Sequence, residues 1–175
     1  IGWCTGFDDG RIWKTTDGGY NWFLQKDTTK NESVYYFHFN DTLNGLAFGN
    51  GIWKTTDGGE EWVKVIDSSF FGRAFFINSQ IGFSGNEKNL LKTYDYGSTW
   101  EVVFRKNLDN LYFTDIFFLN DSIGWAMGRV SGGDDQGNYL YKTVNKGITW
   151  NQIYKNKSAY LTYVYFSPVF SNSEI

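Results

Sequence analysis

Few residues in this chain could do chemistry. It has a single histidine, His38, and a single cysteine, Cys4. Ser-His-Asp and Cys-His catalysis both need an imidazole beside the nucleophile, but His38 sits inside Tyr35-Tyr36-Phe37-His38-Phe39, where a structural role is expected. One cysteine forms no internal disulfide and no cysteine metal cluster, and no HExxH-like zinc pattern occurs. Carboxylates remain. Asp109, Asp115, Asp134 and Asp135 could supply the two acids that glycoside hydrolysis requires, and the loop Ser131-Gly132-Gly133-Asp134-Asp135-Gln136-Gly137-Asn138 has oxygen ligands for calcium. That loop lacks the spacing of a known calcium loop, and carboxylates in Gly-rich loops are ordinarily just solvated. No catalytic residue, metal or cofactor is assigned on this basis.

The other carboxylates follow a pattern. Ile12 to Trp22 reads IWKTTDGGYNW, Ile52 to Trp62 reads IWKTTDGGEEW, Leu90 to Trp100 reads LLKTYDYGSTW, and Leu140 to Trp150 reads LYKTVNKGITW. The repeated acid or amide falls at Asp17, Asp57, Asp95 and Asn145, spacings of 40, 38 and 50 residues, and each copy closes on Trp22, Trp62, Trp100 or Trp150. Such a period suits one small sheet per repeat. Each copy reads as a tight hairpin: a branched, aromatic strand, a turn in which Asp accepts from N–H groups two or three residues on and Gly supplies positive φ, and a Trp with a large face to bury. The four Asp/Asn positions are therefore structural, holding turns.

These residues resemble the Asp-box, or bacterial neuraminidase repeat, whose form is Ser/Thr-x-Asp-x-Gly-x-x-Trp. Thr15-Asp17-Gly19-Trp22, Thr55-Asp57-Gly59-Trp62 and Thr93-Asp95-Gly97-Trp100 match in full, and Thr143-Asn145-Gly147-Trp150 substitutes Asn. With the Gly-aromatic strand ahead of each box, the chain is similar to propellers related to photosystem II assembly factors. The resemblance implies an all-β propeller of four-stranded antiparallel blades and, for location, a place outside the cytoplasm. It does not imply one activity, since the box also occurs in sialidases, xyloglucanases, sortilin-type receptors and non-enzymatic scaffolds. Sialidases of this class hold the substrate carboxylate with three clustered arginines; of the four here, Arg11, Arg73, Arg105 and Arg129, only Arg73 stands at the head of an opening strand.

Composition agrees with a β fold: 175 residues with an aromatic fraction of 21%, 20 Gly and 1 Pro. A net charge of −3 and no Lys/Arg groove with interleaved aromatics argue against nucleic acid, and no apolar run is long enough for a membrane helix. Opening strands such as Ile116-Phe117-Phe118-Leu119 are apolar on both faces, so each sheet is covered on both sides, as in radially stacked blades. The expected units are residues 1–29 (lacking a first strand), 30–69, 70–107 and 108–156, with 157–175 either opening a further blade or closing the first. A longer array is the favoured reading over a four-bladed ring.

Within such a blade the repeat turns lie on one face and the variable connections on the other, where a protein or glycan partner is expected to bind. The candidate binding residues are Arg73, Asp115, Arg129, Asp134 and Asp135. Alignment on Asn78 and Asn120 puts Arg73 and Asp115 at matched points of adjacent blades, at the mouth of the central channel; their equivalent is Tyr35 or Tyr36 in the second repeat and Ser167 in the last segment. An inter-blade ion pair and a ligand site are both open readings of that pair. The overall expectation is a non-catalytic binding or assembly scaffold, with a glycan-active hydrolase or a structural spacer as alternatives.

Overall fold

The computed structural model describes residues 1–6, 10–27, 32–67 and 70–157. The expected terminal segment with Ser167, and Phe7, Asp8 and Asp9 of the first variable loop, lie outside these. The described chain is all-β. Its first sheet has β1 (Gly2–Thr5), β2 (Ile12–Thr15) and β3 (Phe23–Lys26); the second has β4 (Val34–Phe39), β5 (Gly45–Gly49), β6 (Gly51–Thr55) and β7 (Val63–Ile66). The third has β8 (Phe75–Phe76), β9 (Gly82–Gly85), β10 (Asn89–Thr93) and β11 (Glu101–Arg105), and the fourth β12 (Leu111–Phe118), β13 (Gly124–Val130), β14 (Gly137–Thr143) and β15 (Asn151–Asn156). All pairings are antiparallel between sequence neighbours, giving propeller blades.

The core lies between sheets. Ile12, Val34, Ala47, Trp53 and Trp62 fill the first gap; Leu46, Phe48, Phe71 and Leu91 the second; Phe83, Leu111, Phe113, Phe118 and Tyr141 the third. This accounts for opening strands that are apolar on both faces: each contacts a sheet on either side.

The repeat turns share one set of bonds. In the second sheet Thr55 Oγ1 donates to Asp57 Oδ1 (2.8 Å) and accepts the Gly59 N–H (2.8 Å), while Asp57 Oδ1 accepts the Glu61 N–H (3.0 Å). The same triplets recur at Thr15, Asp17 and Asn21, at Thr93, Asp95 and Thr99, and at Thr143, Asn145 and Thr149. The principal backbone donor to the Asp is thus the N–H four residues on, while the Thr hydroxyl accepts the N–H of the glycine two residues after the Asp. The closing Trp donates back to the turn glycine carbonyl, Trp100 to Gly97 (3.2 Å) and Trp150 to Gly147 (3.1 Å). Trp62 departs from this: its indole N–H is buried without a hydrogen-bond partner, in a turn where Trp3 lies against Gly59.

Burial of these tryptophans depends on an aromatic partner. Phe39, Phe76 and Phe118, at or near the ends of the opening strands, meet Trp62, Trp100 and Trp150 edge to face at 6.0, 6.4 and 5.8 Å. The first sheet has no such strand among the described residues. Trp22 is accordingly 39% exposed, against 7% for Trp62 and 6% for Trp150, which corrects the expectation that every box Trp is buried.

Adjacent sheets are joined by the lysine of each Lys-Thr pair. Lys14 Nζ meets Glu60 Oε1 (3.4 Å), Lys54 Nζ donates to the Tyr96 carbonyl (2.9 Å) and Ser98 Oγ (2.6 Å), and Lys92 Nζ donates to the Lys146 carbonyl (3.1 Å). Beside each lysine, across the ladder, stands Trp3, Leu46 or Phe83. The next sheet's turn glycine lies against that side chain: a Cβ on Gly59, Gly97 or Gly147 would come within 3.0, 2.7 or 2.5 Å of it.

Candidate functional site

The two ends of the sheets are built differently. The repeat turns pack on the turns that follow the opening strands, through Gly58 N–H to Leu43 O (2.8 Å), Tyr96 N–H to Gln80 O (2.9 Å) and Lys146 N–H to Ser122 O (3.0 Å). Those turns are held in the same way by side-chain oxygens, Asp41 on the Leu43 and Asn44 N–H groups, Asn78 on Gln80 and Ile81, Asn120 on Ser122 and Ile123. The polar groups of this end are therefore engaged within the protein. Backbone and side-chain donors hold the Asp17 carboxyl at about 2, with Asn21 the largest contributor, and Asp57 is lowered first by the Glu61 N–H.

At the opposite end, register settles which residues correspond. Phe39, Phe76 and Phe118 pair with the first glycine of the following strand, Gly45, Gly82 and Gly124. Three residues earlier on each opening segment stand Tyr36, Arg73 and Asp115, so Tyr36 and not Tyr35 is the equivalent of Arg73. The one-residue ambiguity is a β-bulge: the ladder slips between Val34 and Tyr36 in β4 and between Phe113 and Asp115 in β12. Asp115 therefore lies inside β12, buried at 7% exposure, and not at the strand's entry as its spacing suggested.

The three equivalents form a sequence of neighbours. The Arg73 guanidinium lies over the Tyr36 ring, 5.4 Å from its centroid, and the Arg73 N–H donates to the Thr114 carbonyl (3.2 Å), next to Asp115. Asp115 Oδ1 accepts the N–H of Ile116 (3.1 Å). The same opening segments carry a second line that the sequence did not reveal. Tyr35 and Phe70 are 6.3 Å apart, and Phe70 and Tyr112 meet edge to face at 5.8 Å, so aromatic rings from the openings of the second, third and fourth sheets follow one another. Tyr35 is 44% exposed, and the other two rings are half-buried.

The remaining candidates are Arg129, Asp134 and Asp135. Arg129 stands on β13, opposite Tyr112 and Asn138, and β13 leads into the loop of Asp134 and Asp135. That loop, the 107–110 connection and Lys88 surround an open cleft of about 430 Å³. Asp135 Oδ1 accepts from Lys155 Nζ (2.9 Å), whose hydrogen bond and charge lower its pKa, and the Asp134 carbonyl accepts from Lys157 Nζ (2.9 Å). Asp109 pairs with Lys88 (3.0 Å). Ammonium groups thus stand where a cation would, and among the described residues no three His, Cys, Asp or Glu side chains gather for a metal.

His38 stacks on Phe76, 4.3 Å between ring centroids, and burial lowers its pKa, in keeping with a neutral packing role. Cys4 is exposed. Among the described residues no helix is long and apolar enough to cross a membrane.

No family model matches the chain and no curated protein matches it. Solved structures do. The chain is similar to an ancestral GH74 enzyme, with 18% identity and a TM-score of 0.65 over 85% of this chain and 24% of that one. It is also similar to YCF48 from Cyanidioschyzon merolae (17%, TM-score 0.55, covering 83% and 53%) and to YCF48 bound to D1 peptide (22%, TM-score 0.50, covering 68% and 39%). At these identities the likeness shows the fold, a β-propeller. The chain spans from about a quarter to about half the length of these structures.

Proposed function

We propose that this protein is a non-catalytic propeller scaffold of the Asp-box class, working outside the cytoplasm, that binds a protein partner on the face opposite the repeat turns. The observation that carries this reading is the aromatic row Tyr35–Phe70–Tyr112, with Arg73 over the ring of neighbouring Tyr36, at the end of the sheets whose connections vary. Aromatic rings and arginine are the residue types that anchor protein interfaces. The repeat-turn end has its polar groups engaged in its own turns and in the neighbouring sheet. YCF48, a structural neighbour, has been solved with a peptide bound, which supports a peptide-like partner for a propeller of this kind.

The test is a random peptide library displayed on phage and selected on the purified chain. Selected peptides should lose about tenfold or more in affinity on Tyr35→Ala or Arg73→Ala, and keep it on Asp121→Ala at the other end. Peptides that depend on Asp121 and ignore Tyr35 and Arg73 refute the assignment of the face. A glycan-active hydrolase is the second reading, favoured by the likeness to the GH74 enzyme. Turnover of aryl glycosides that disappears with Asp115→Asn in a folded protein would establish it over the scaffold.

A further inference from the structure

One lysine enters each gap between consecutive sheets, and what lies over that lysine differs from gap to gap. At the first, Glu60 of the second sheet's turn reaches Lys14 Nζ (3.4 Å), and Phe23 is the cross-strand neighbour of Lys14 on the outer strand. At the third, the Tyr94 ring lies over Lys92, its centroid 4.6 Å from Nζ. At the second gap the equivalent residues are small. Thr56 stands where the third gap has Tyr94, Ser98 where the first has Glu60, and Val63, cross-strand from Lys54, where the first has Phe23. What results is an open cavity of about 350 Å³ lined by Lys54, Thr56 and Ser98 and walled by Val63 and Val65. That volume falls within the span of small-molecule sites, roughly 300–1,000 Å³. Val63 is 62% exposed, so the apolar wall is open to solvent.

The second repeat also departs from the others within its box. Elsewhere the side chain four residues after the Asp or Asn completes the turn: Asn21 Nδ2 donates to Asp17 Oδ2 (2.6 Å), Thr99 Oγ1 to Asp95 Oδ2 (2.7 Å), and Asn145 Nδ2 to Thr149 Oγ1 (2.9 Å). In the second sheet that position is Glu61, a carboxylate, which offers Asp57 no such donor. Asp57 and Glu61 both line the cavity, so the second gap is the exception at an end whose polar groups are otherwise engaged. The Lys54 ammonium is committed to the Tyr96 carbonyl (2.9 Å) and Ser98 Oγ (2.6 Å) and pairs with neither carboxylate among the described residues.

We propose that this cavity binds an arylalkylamine, an aromatic ring carrying an ammonium group on a short chain. The third gap supplies the template for the ring. Tyr94 shows that an aromatic ring fits over the lysine of such a gap, held there by cation–π attraction, and Thr56 leaves that ring out of the second gap. Val63 and Val65 give the ring an apolar wall, and the ammonium takes the place of the donor that Asn21 and Thr99 provide in their own boxes, shared between Asp57 and Glu61. Both parts of the ligand are required: an aliphatic amine leaves Lys54 and the valines uncovered, and a neutral ring leaves the carboxylates without a donor. The site lies among the repeat turns, apart from the face assigned to a protein partner, and its test is independent of that assignment.

Tyramine, whose ring is that of Tyr94, is the probe, titrated at neutral pH into the purified chain with its valine methyl groups labelled for NMR. The Val63 and Val65 methyl resonances should shift together with a dissociation constant of about 1 mM or tighter, and 4-ethylphenol, which lacks the ammonium, should bind about fivefold or more weakly than tyramine. Thr56→Tyr, which puts the third gap's ring into the second, should weaken tyramine binding about tenfold or more. Glu61→Thr, the residue of the third and fourth boxes, should bring tyramine to the level of 4-ethylphenol and leave 4-ethylphenol unchanged. Both substitutions copy a neighbouring repeat, and circular-dichroism melting separates lost binding from lost folding. The proposal is overturned if tyramine at about 10 mM leaves the Val63 and Val65 methyls of the unsubstituted chain unmoved, if folded Thr56→Tyr binds tyramine as before, or if 4-ethylphenol matches tyramine.

Discussion

Thr55→Val isolates what the repeat turn contributes. Valine keeps the volume and the β-branch of a residue that is 1% exposed, so no cavity opens and the strand preference stays. What disappears is the hydroxyl, which accepts the buried Gly59 N–H at 2.8 Å and donates to Asp57 at 2.8 Å. Asp57 is exposed and water replaces its lost donor, so that bond counts for little. Gly59 is covered by Trp3 of the preceding sheet, and its orphaned N–H should account for most of a loss of about 2 kcal/mol. Thr15→Val removes the same bonds in the first sheet, but Gly19 is half-buried and reached by water, so about 1 kcal/mol or less is expected. Urea unfolding, with the slope checked to be unchanged, gives both values. Equal losses at Thr15 and Thr55, or a loss at Thr55 below about 0.5 kcal/mol, would show that the covered glycine N–H is not what the threonine is for.

The lysine contact gives a second expectation: Lys54→Met, which keeps the stem and removes the ammonium from Tyr96 O and Ser98 Oγ, should cost about 1–3 kcal/mol in the same assay. Trp62→Ala should cost about 3–5 kcal/mol, whereas Trp22→Ala, at a site 39% exposed, should cost about 1–2 kcal/mol; equal values would contradict the role given to Phe39. Acid should destabilise the fold in two stages, followed by urea titrations at stepped pH. The His38 pKa lies below its ordinary 6.5, so the unfolded chain takes that proton first and stability begins to fall as pH drops through 6.5. The carboxyls of Asp41, Asp57 and Asp95 lie below 3.8 and that of Asp17 at about 2, so their stabilisation is full above the ordinary carboxylate range and is lost as pH falls toward 2. Asp57→Asn should flatten the lower stage while changing little at neutral pH, because Asn145 makes the corresponding bonds with an amide; an unchanged slope would remove Asp57 from the account.

The fold was legible because its signal is local and written four times. Eight residues from Thr55 to Trp62 contain the Thr, the Asp and the N–H groups that close one turn, so spacing alone reports the hairpin. The lysine was equally constant, at Lys14, Lys54, Lys92 and Lys142, but its partners lie 42 residues away for Lys54 and 54 for Lys92, and a repeat count cannot point across that distance. The opening strands were the least readable. A bulge near Tyr36 and Asp115 adds a residue that apolar periodicity does not register, and β8 is cut to Phe75–Phe76 where Gly72 runs against the fourth sheet. A Cβ there would lie 2.5 Å from the Phe113 carbonyl, and while the Gly72 N–H still reaches Gly85 O of its own sheet (2.8 Å), the next N–H, of Arg73, turns to Thr114 O of the fourth (3.2 Å). The Arg73 and Asp115 correspondence survived because both were aligned on the turn beyond the bulge. The Tyr35–Phe70–Tyr112 row did not show in the sequence: Phe70 and Tyr112 are equivalent, six residues before Phe76 and Phe118, but Tyr35 is the bulge residue of β4, four before Phe39.

These observations divide the protein by task. Each repeat turn closes its own hairpin, and those of the second, third and fourth sheets also insert into the sheet before them, so a change there acts on two interfaces at once. At the other end neighbouring blades are joined by backbone groups, Phe71 N–H to Gly49 O (2.7 Å), Lys88 N–H to Leu111 O (3.1 Å) and Phe113 N–H to Asn86 O (3.1 Å), which do not depend on side-chain identity, and the side-chain ion pairs, such as Lys88 with Asp109 and Lys155 with Asp135, are exposed ones that stabilise little. Sequence can therefore vary at that end without disturbing the stack. The opening segments connect the two regimes: their last residues are fixed by Phe39, Phe76 and Phe118 in the core, and the residues three positions earlier, Tyr36, Arg73 and Asp115, differ in every blade on a backbone those phenylalanines hold in place.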